Sequence, residues 1–167
     1  LCIGYENTID SARDVMSILV AKPTAIEGLD LSIVDIMRHR RGADSVEGLP
    51  NGNAFLMVEF SADEAEEARA QCARLLDELG TQGRMTDSVI VTDPTARGKL
   101  WREREDGAGL SSSRSDGTPT WPGCGDSAVA PAPLADYPSA LLTLAEKSHD
   151  SAVRYGHYAA GSVRVRL

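Results

Sequence analysis

Residues 1–41 and 54–106 repeat one pattern, strand-helix-strand-helix, at an offset of about 53 residues. That duplication constrains the fold more than any other feature of the chain. The first unit opens on an apolar run, Leu1–Tyr5. Asn7 is placed to cap a helix over about Thr8–Ala21, with Ala12, Val15, Met16, Leu19 and Val20 as its buried stripe. Lys22-Pro23 stops that helix, and a short strand follows over Thr24–Leu29. Asp30 then caps a helix carrying Ile33, Val34, Ile36 and Met37. It ends on Arg38-His39-Arg40-Arg41-Gly42, where cations complement the helix dipole.

The second unit repeats the order. Ala54–Phe60 is a strand, and Ser61 with Glu64 has the spacing of a capping box for a helix over about Ala62–Leu79. Ser88–Thr92 reads as a strand. Asp93-Pro94 starts a helix bearing Leu100 and Trp101. Two such units predict an α+β fold of duplicated ferredoxin-like βαβα units, with an antiparallel or mixed sheet and helices mainly on one face. Residues 107–134 are rich in Gly and Pro and read as a long irregular loop with a short strand near Asp126–Val129. A helix over Tyr137–Ser148, a turn at Ala159-Ala160-Gly161 and a terminal strand Ser162–Leu167 complete the chain.

A length of 167 residues fits one domain, which buries roughly 68–70% of its extended-chain surface. The net charge of −8 argues against nucleic acid as a partner. Cys2, Cys72 and Cys124 form no C-x-x-C pair, so a zinc ribbon is unsupported and a reducing cytoplasm is the simpler setting. No run of 18 apolar residues makes a membrane span, and no signal peptide is visible. The chain begins on Leu1 and closes inside an alternating strand, so it reads as an excised piece of a longer protein.

Three segments can carry chemistry. Leu100-Trp101-Arg102-Glu103-Arg104-Glu105 places two guanidinium groups two residues apart, on different helix faces. One can grip a carboxylate on a cleft wall. The other reading is a solvated charge run paired with Glu103 and Glu105. His157 sits at a strand end before a small-residue turn, where it either shuttles a proton or is a hydrogen-bonded hairpin histidine. Cys124 and Asp126 lie in a Gly-rich stretch with no nearby His, and structural turn is the plainer reading. No Gly-rich phosphate loop is present, His39 and His149 lie on helix ends, and no cofactor-binding residue is identifiable.

Six stretches, taken in order, carry a family resemblance: Ala25–Asp30, Leu56–Phe60, Thr92-Asp93-Pro94, Leu100–Glu105, Asp126–Pro131 and Tyr155-Gly156-His157. Together they resemble the C-terminal cap domain of FAD-linked oxidases, the D-lactate dehydrogenase and glycolate oxidase flavin-subunit group. Trp121-Pro122-Gly123 and Arg104–Gly109 suggest a long member with an additional iron–sulfur module. The resemblance implies that a separate N-terminal domain binds FAD and that this domain caps the substrate pocket. It implies a small 2-hydroxy acid as substrate, Arg104 as the substrate-carboxylate grip and His157 as a catalytic residue, the fragment alone being inactive.

The family's Gly-His-x-Gly-Asp-Gly-Asn-x-His turn often supplies two histidines to a divalent metal. Here Ala159 and Ala160 stand at its Gly and Asp, Ser162 at its Asn and Arg164 at its second His. Gly125 stands where a carboxylate is usual before Asp126. A guanidinium cannot ligate a metal, so the expectation is no bound metal in this chain. The alternative reading is a non-catalytic ferredoxin-like binding or dimerisation module, or an inactive relative, pairing as a homodimer through a strand left open at Leu167.

Overall fold

The computed structural model describes residues 1–112, 117–121, 127–147 and 153–166. Two helix starts form as their residues dictate. The Asn7 side chain accepts from the Asp10 amide and starts α1 (Thr8–Val20), and the Asp30 carboxylate accepts from the Ser32 amide and starts α2 (Leu31–Arg41). The remaining elements in chain order are β1 (Cys2–Tyr5), β2 (Ala25–Asp30), β3 (Ala54–Glu59), α3 (Ala65–Gly80), β4 (Met85–Val89), α4 (Pro94–Leu110), β5 (Ser127–Ala128), α5 (Asp136–Lys147), β6 (Val153–His157) and β7 (Ser162–Arg166). Among the described residues, no helix is long and apolar enough to cross a membrane.

The strands form one antiparallel sheet in the order β4-β1-β3-β2-β6-β7-β5. The first four strands have the 4-1-3-2 order of a single ferredoxin-like unit, so the α+β expectation holds and the two sequence units interleave in one sheet. Strand alternation divides the interior in two. Ile3, Tyr5, Leu56 and Val58 face α1 and α3, with Tyr137 and Leu141 of α5 packed alongside. Cys2, Leu29, Phe55, Met57 and Tyr155 face α2 and Leu100 of α4. Helices thus lie mainly on one face, as expected, with α1, α3 and α5 there, while α2 and α4 cover the other. Helices cover both faces because both faces of the central strands are apolar.

Several boundaries depart from the sequence reading. In α1 the inward stripe runs through Thr8, Ser11, Ala12, Val15 and Ile18, whereas Met16 and Val20 are 44% and 74% exposed. The Ser61–Glu64 capping box does not form: the chain bends at 63–64, Glu64 itself keeps extended dihedrals, and α3 begins at Ala65 without a side-chain cap. The strand expected at Ser88–Thr92 lies at Met85–Val89, where pairing of Cys2 with Val89 sets its end. The helix after Pro94 continues to Leu110, into the segment read as loop. Finally, β7 is not open: β6 and β5 pair on its two sides, and the sheet's edges are β4 and β5.

Candidate functional site

His157 ends β6, and the register places it directly opposite Glu27 of β2. Glu27 shares a sheet face with Leu29, and His157 shares it with Tyr155, so both side chains project on the face covered by α2 and α4. There His157 Nδ1 lies 2.6 Å from Glu27 Oε1. The carboxylate side chain is 9% exposed and the imidazole 45%. The pair is thus buried on its carboxylate side and half-exposed on its imidazole side. A carboxylate on Nδ1 selects the Nδ1–H tautomer, which carries its lone pair on Nε2.

The opposite face holds this hairpin in place. Gly28 pairs with Gly156 one position along. The Tyr158 ring occupies the space over Gly28, where a Cβ would lie 2.4 Å from ring carbon Cζ. Chain reversal after His157 is a 3-10 turn over Tyr158–Ala160, closed by Gly161 at φ 69°, in the left-handed region. Asp30, besides capping α2, pairs with Arg154 of β6 at 3.0 Å and accepts from Thr8 Oγ1 at 3.3 Å. Burial pushes the Tyr158 phenol well above its ordinary value, so the group stays neutral beside that ion pair.

Next to His157 on the exposed-imidazole face is a basic strip. The Arg164 guanidinium lies 6.0 Å from the centre of the Tyr155 ring, within cation–π range. Ser111 Oγ and Tyr155 Oη are 3.3 Å apart. Burial acts to raise the Tyr155 pKa. Hydrogen bonds from Ser111 and Arg166 and the charges of Arg166 and Arg164 outweigh it, and the net shift is downward.

Arg104 lies in α4, and its side chain falls outside the described residues. Position 104 is one helical turn beyond Leu100, which is buried against the face that carries Glu27 and His157. An Arg41–Asp106 ion pair ties this part of α4 to the end of α2. Arg102 is exposed, with Nε donating to the Gly98 carbonyl at 3.1 Å. Cys124, Asp126 and His149 lie outside the described residues, and His39 is exposed.

Glu27 is the site residue that sequence reasoning missed. Its signal was a carboxylate in the middle of an apolar strand, Ala25-Ile26-Glu27-Gly28-Leu29, at a position the sheet then buries. Among the described residues, no three His, Cys, Asp or Glu side chains converge as metal ligands. The Glu27–His157 pair with Arg164 on the same face is a poor donor set for a divalent cation, since the guanidinium adds a fixed positive charge.

No curated protein matches the chain. The family described as FAD linked oxidases, C-terminal domain, matches residues 2–167, and the chain belongs to it. That membership makes the full-length protein a flavin-linked oxidoreductase.

Proposed function

We propose that this domain is the substrate cap of an FAD-dependent D-2-hydroxy acid dehydrogenase, with His157 as the base and Arg104 as the carboxylate grip. The observation that carries the reading is the 2.6 Å contact between His157 Nδ1 and Glu27 Oε1. Oxidation of a 2-hydroxy acid needs its hydroxyl proton removed as the C2–H bond breaks. Nε2 of His157 takes that proton. Glu27 stabilises the imidazolium that forms and keeps the ring oriented while it does so. The products are a 2-oxo acid, a proton on His157 and an electron pair delivered as hydride.

FAD, when bound, supplies the acceptor for that hydride. This chain's own residues do not fit its phosphates. It has no Gly-rich phosphate loop, and α2 and α4 begin on the capping carboxylates of Asp30 and Asp93. Glu66 and Glu67 occupy the first turn of α3. Carboxylates at helix N-termini occupy or repel the position a pyrophosphate would take. The flavin therefore rests on another part of the full-length protein, and this domain contributes substrate recognition, proton removal and exclusion of water.

Anaerobic flavin bleaching of the full-length protein by D-2-hydroxy acids tests the reading. His157→Gln is expected to slow bleaching by about 10²–10⁴-fold with little change in KM. Arg104→Lys is expected to raise KM instead. Wild-type bleaching rates in His157→Gln would remove the base from the mechanism.

A further inference from the structure

His157 stands between two different neighbours on the α2/α4 face. On one side, β2 brings Glu27 directly opposite it. On the other, β7 pairs with β6 so that Arg164 lies opposite Tyr155. Tyr155 and His157 are two residues apart on one strand and project on the same face, so Arg164 is the diagonal neighbour of His157. Diagonal positions in an antiparallel pair are about 7–8 Å apart, within reach of a long side chain. The Tyr155 ring is buried. Arg164 is half-buried, with its guanidinium 6.0 Å from the centre of that ring. A ring face steadies a guanidinium and leaves its N–H edge for an acceptor. Arg166 is two residues further along β7, opposite Val153, and hydrogen-bonds the Tyr155 hydroxyl. By register, Arg164 is therefore the cation of β7 nearest the imidazole.

We propose that Arg164 is a catalytic residue whose guanidinium donates to the substrate's C2 oxygen and stabilises the charge that gathers there as His157 takes the hydroxyl proton. The inference rests on the reading of His157 as the base given above. Proton removal leaves an alkoxide-like oxygen in the transition state, and that oxygen needs a positive group as the C2–H electron pair departs. Among the described residues, the site offers it a guanidinium and not a metal donor set. Nδ1 of His157 is engaged by Glu27, and the side chain at position 164 only donates. Arg164 stays protonated throughout. The hydroxyl proton goes to Nε2 of His157, the hydride goes to the flavin, and no bond forms to Arg164. The two arginines then have separate tasks. Arg104 grips a carboxylate that is charged before and during the reaction, whereas Arg164 acts on an oxygen whose charge grows only in the transition state.

The test is anaerobic flavin bleaching of the full-length protein by D-lactate, D-malate and D-mandelate, before and after dialysis against EDTA. Wild type is expected to keep its rate through dialysis. Arg164→Met is expected to lower kcat about 10²–10³-fold with little change in KM, the reverse of the split expected for Arg104→Lys. Arg164→Lys keeps the charge without the planar fork and should lose at most about tenfold. Free guanidinium ion, added below denaturing concentrations, should raise the Arg164→Met rate severalfold and leave the wild-type rate unchanged, a response that a purely structural role would not give. An unchanged kcat in Arg164→Met overturns this inference and leaves the hydroxy acid reading standing. So do equal losses in Arg164→Met and Arg164→Lys with no response to guanidinium, or a wild-type rate abolished by EDTA and restored by Zn²⁺ or Mn²⁺. Failure of every acid to bleach the wild-type flavin overturns both.

Discussion

Asp14 has no exposed side-chain surface, and Arg84 is its ion-pair partner. Burial pushes the Asp14 carboxyl above its ordinary value of 3.8, against the opposing pull of Arg84. A carboxyl whose folded pKa is raised binds its proton more tightly in the folded state. Its contribution to stability is present at low pH and is lost as pH rises from 3.8 through the raised value. Denaturation midpoints of wild type, measured against Asp14→Asn from about pH 3 to 7, should therefore fall with pH. Arg84→Ala leaves the buried carboxylate uncompensated and is expected to cost about 3–5 kcal/mol at neutral pH. Asp87 behaves oppositely. Backbone amides of Asn51 and Ser88 and then the Asn51 side chain hold its carboxyl below 3.8. Measured against Asp87→Asn, wild type should gain stability as pH rises from the depressed value through 3.8. At Gly28, substitution by Ala puts a Cβ into the Tyr158 ring. It should cost about 1–3 kcal/mol and misplace the hairpin that presents His157, lowering melting temperature and flavin bleaching together.

Helix starts show which elements the sequence makes legible. Asp93 Oδ1 accepts from the Ala96 amide at 2.8 Å, so Asp93→Ala should cost about 0.5–2 kcal/mol in thermal or urea unfolding. Ser61→Ala should cost almost nothing, because the chain at 61–64 is not helical and no capping bond forms there. Both sites have good capping chemistry in sequence. They differ because Pro94 fixes the first turn of α4, whereas the chain bends at 63–64 without entering the helix, which starts only at Ala65. The caps of α1 and α2 were legible for the same local reason. The limits of β4 were not, since they follow from pairing with β1 across more than 80 residues of chain. The His157 site was half legible: the imidazole stands out beside its small-residue turn, but Glu27 becomes its partner only when β2 and β6, 130 residues apart at this pair, come into register.

At the scale of the molecule, the sheet separates two cores with different tasks, and perturbing each should have different consequences. Leu56 is fully buried in the core under α1 and α3, among Ile3, Val15, Ile18 and Leu75. This core joins β1, β2, β3 and β7 to α1 and α3, with α5 packed alongside. Leu56→Ala should therefore cost about 2–5 kcal/mol and lower the stability of the whole domain cooperatively. The other core faces the candidate site. Among the described residues, Leu100 is the one side chain by which α4 enters its buried cluster, and it is 8% exposed. Truncating Leu100 to Ala removes that anchor while α2 still covers Leu29, Phe55 and Met57. Local release of α4 is then less costly than unfolding the sheet. Hydrogen exchange should show protection falling at least tenfold over 94–110, with β1, β2 and β3 protected almost as in wild type. Equal loss across the sheet would make α4 a structural keystone instead. The predicted pattern would make it a wall whose buried anchor is Leu100, with the exposed Arg41–Asp106 ion pair too weak to hold it alone.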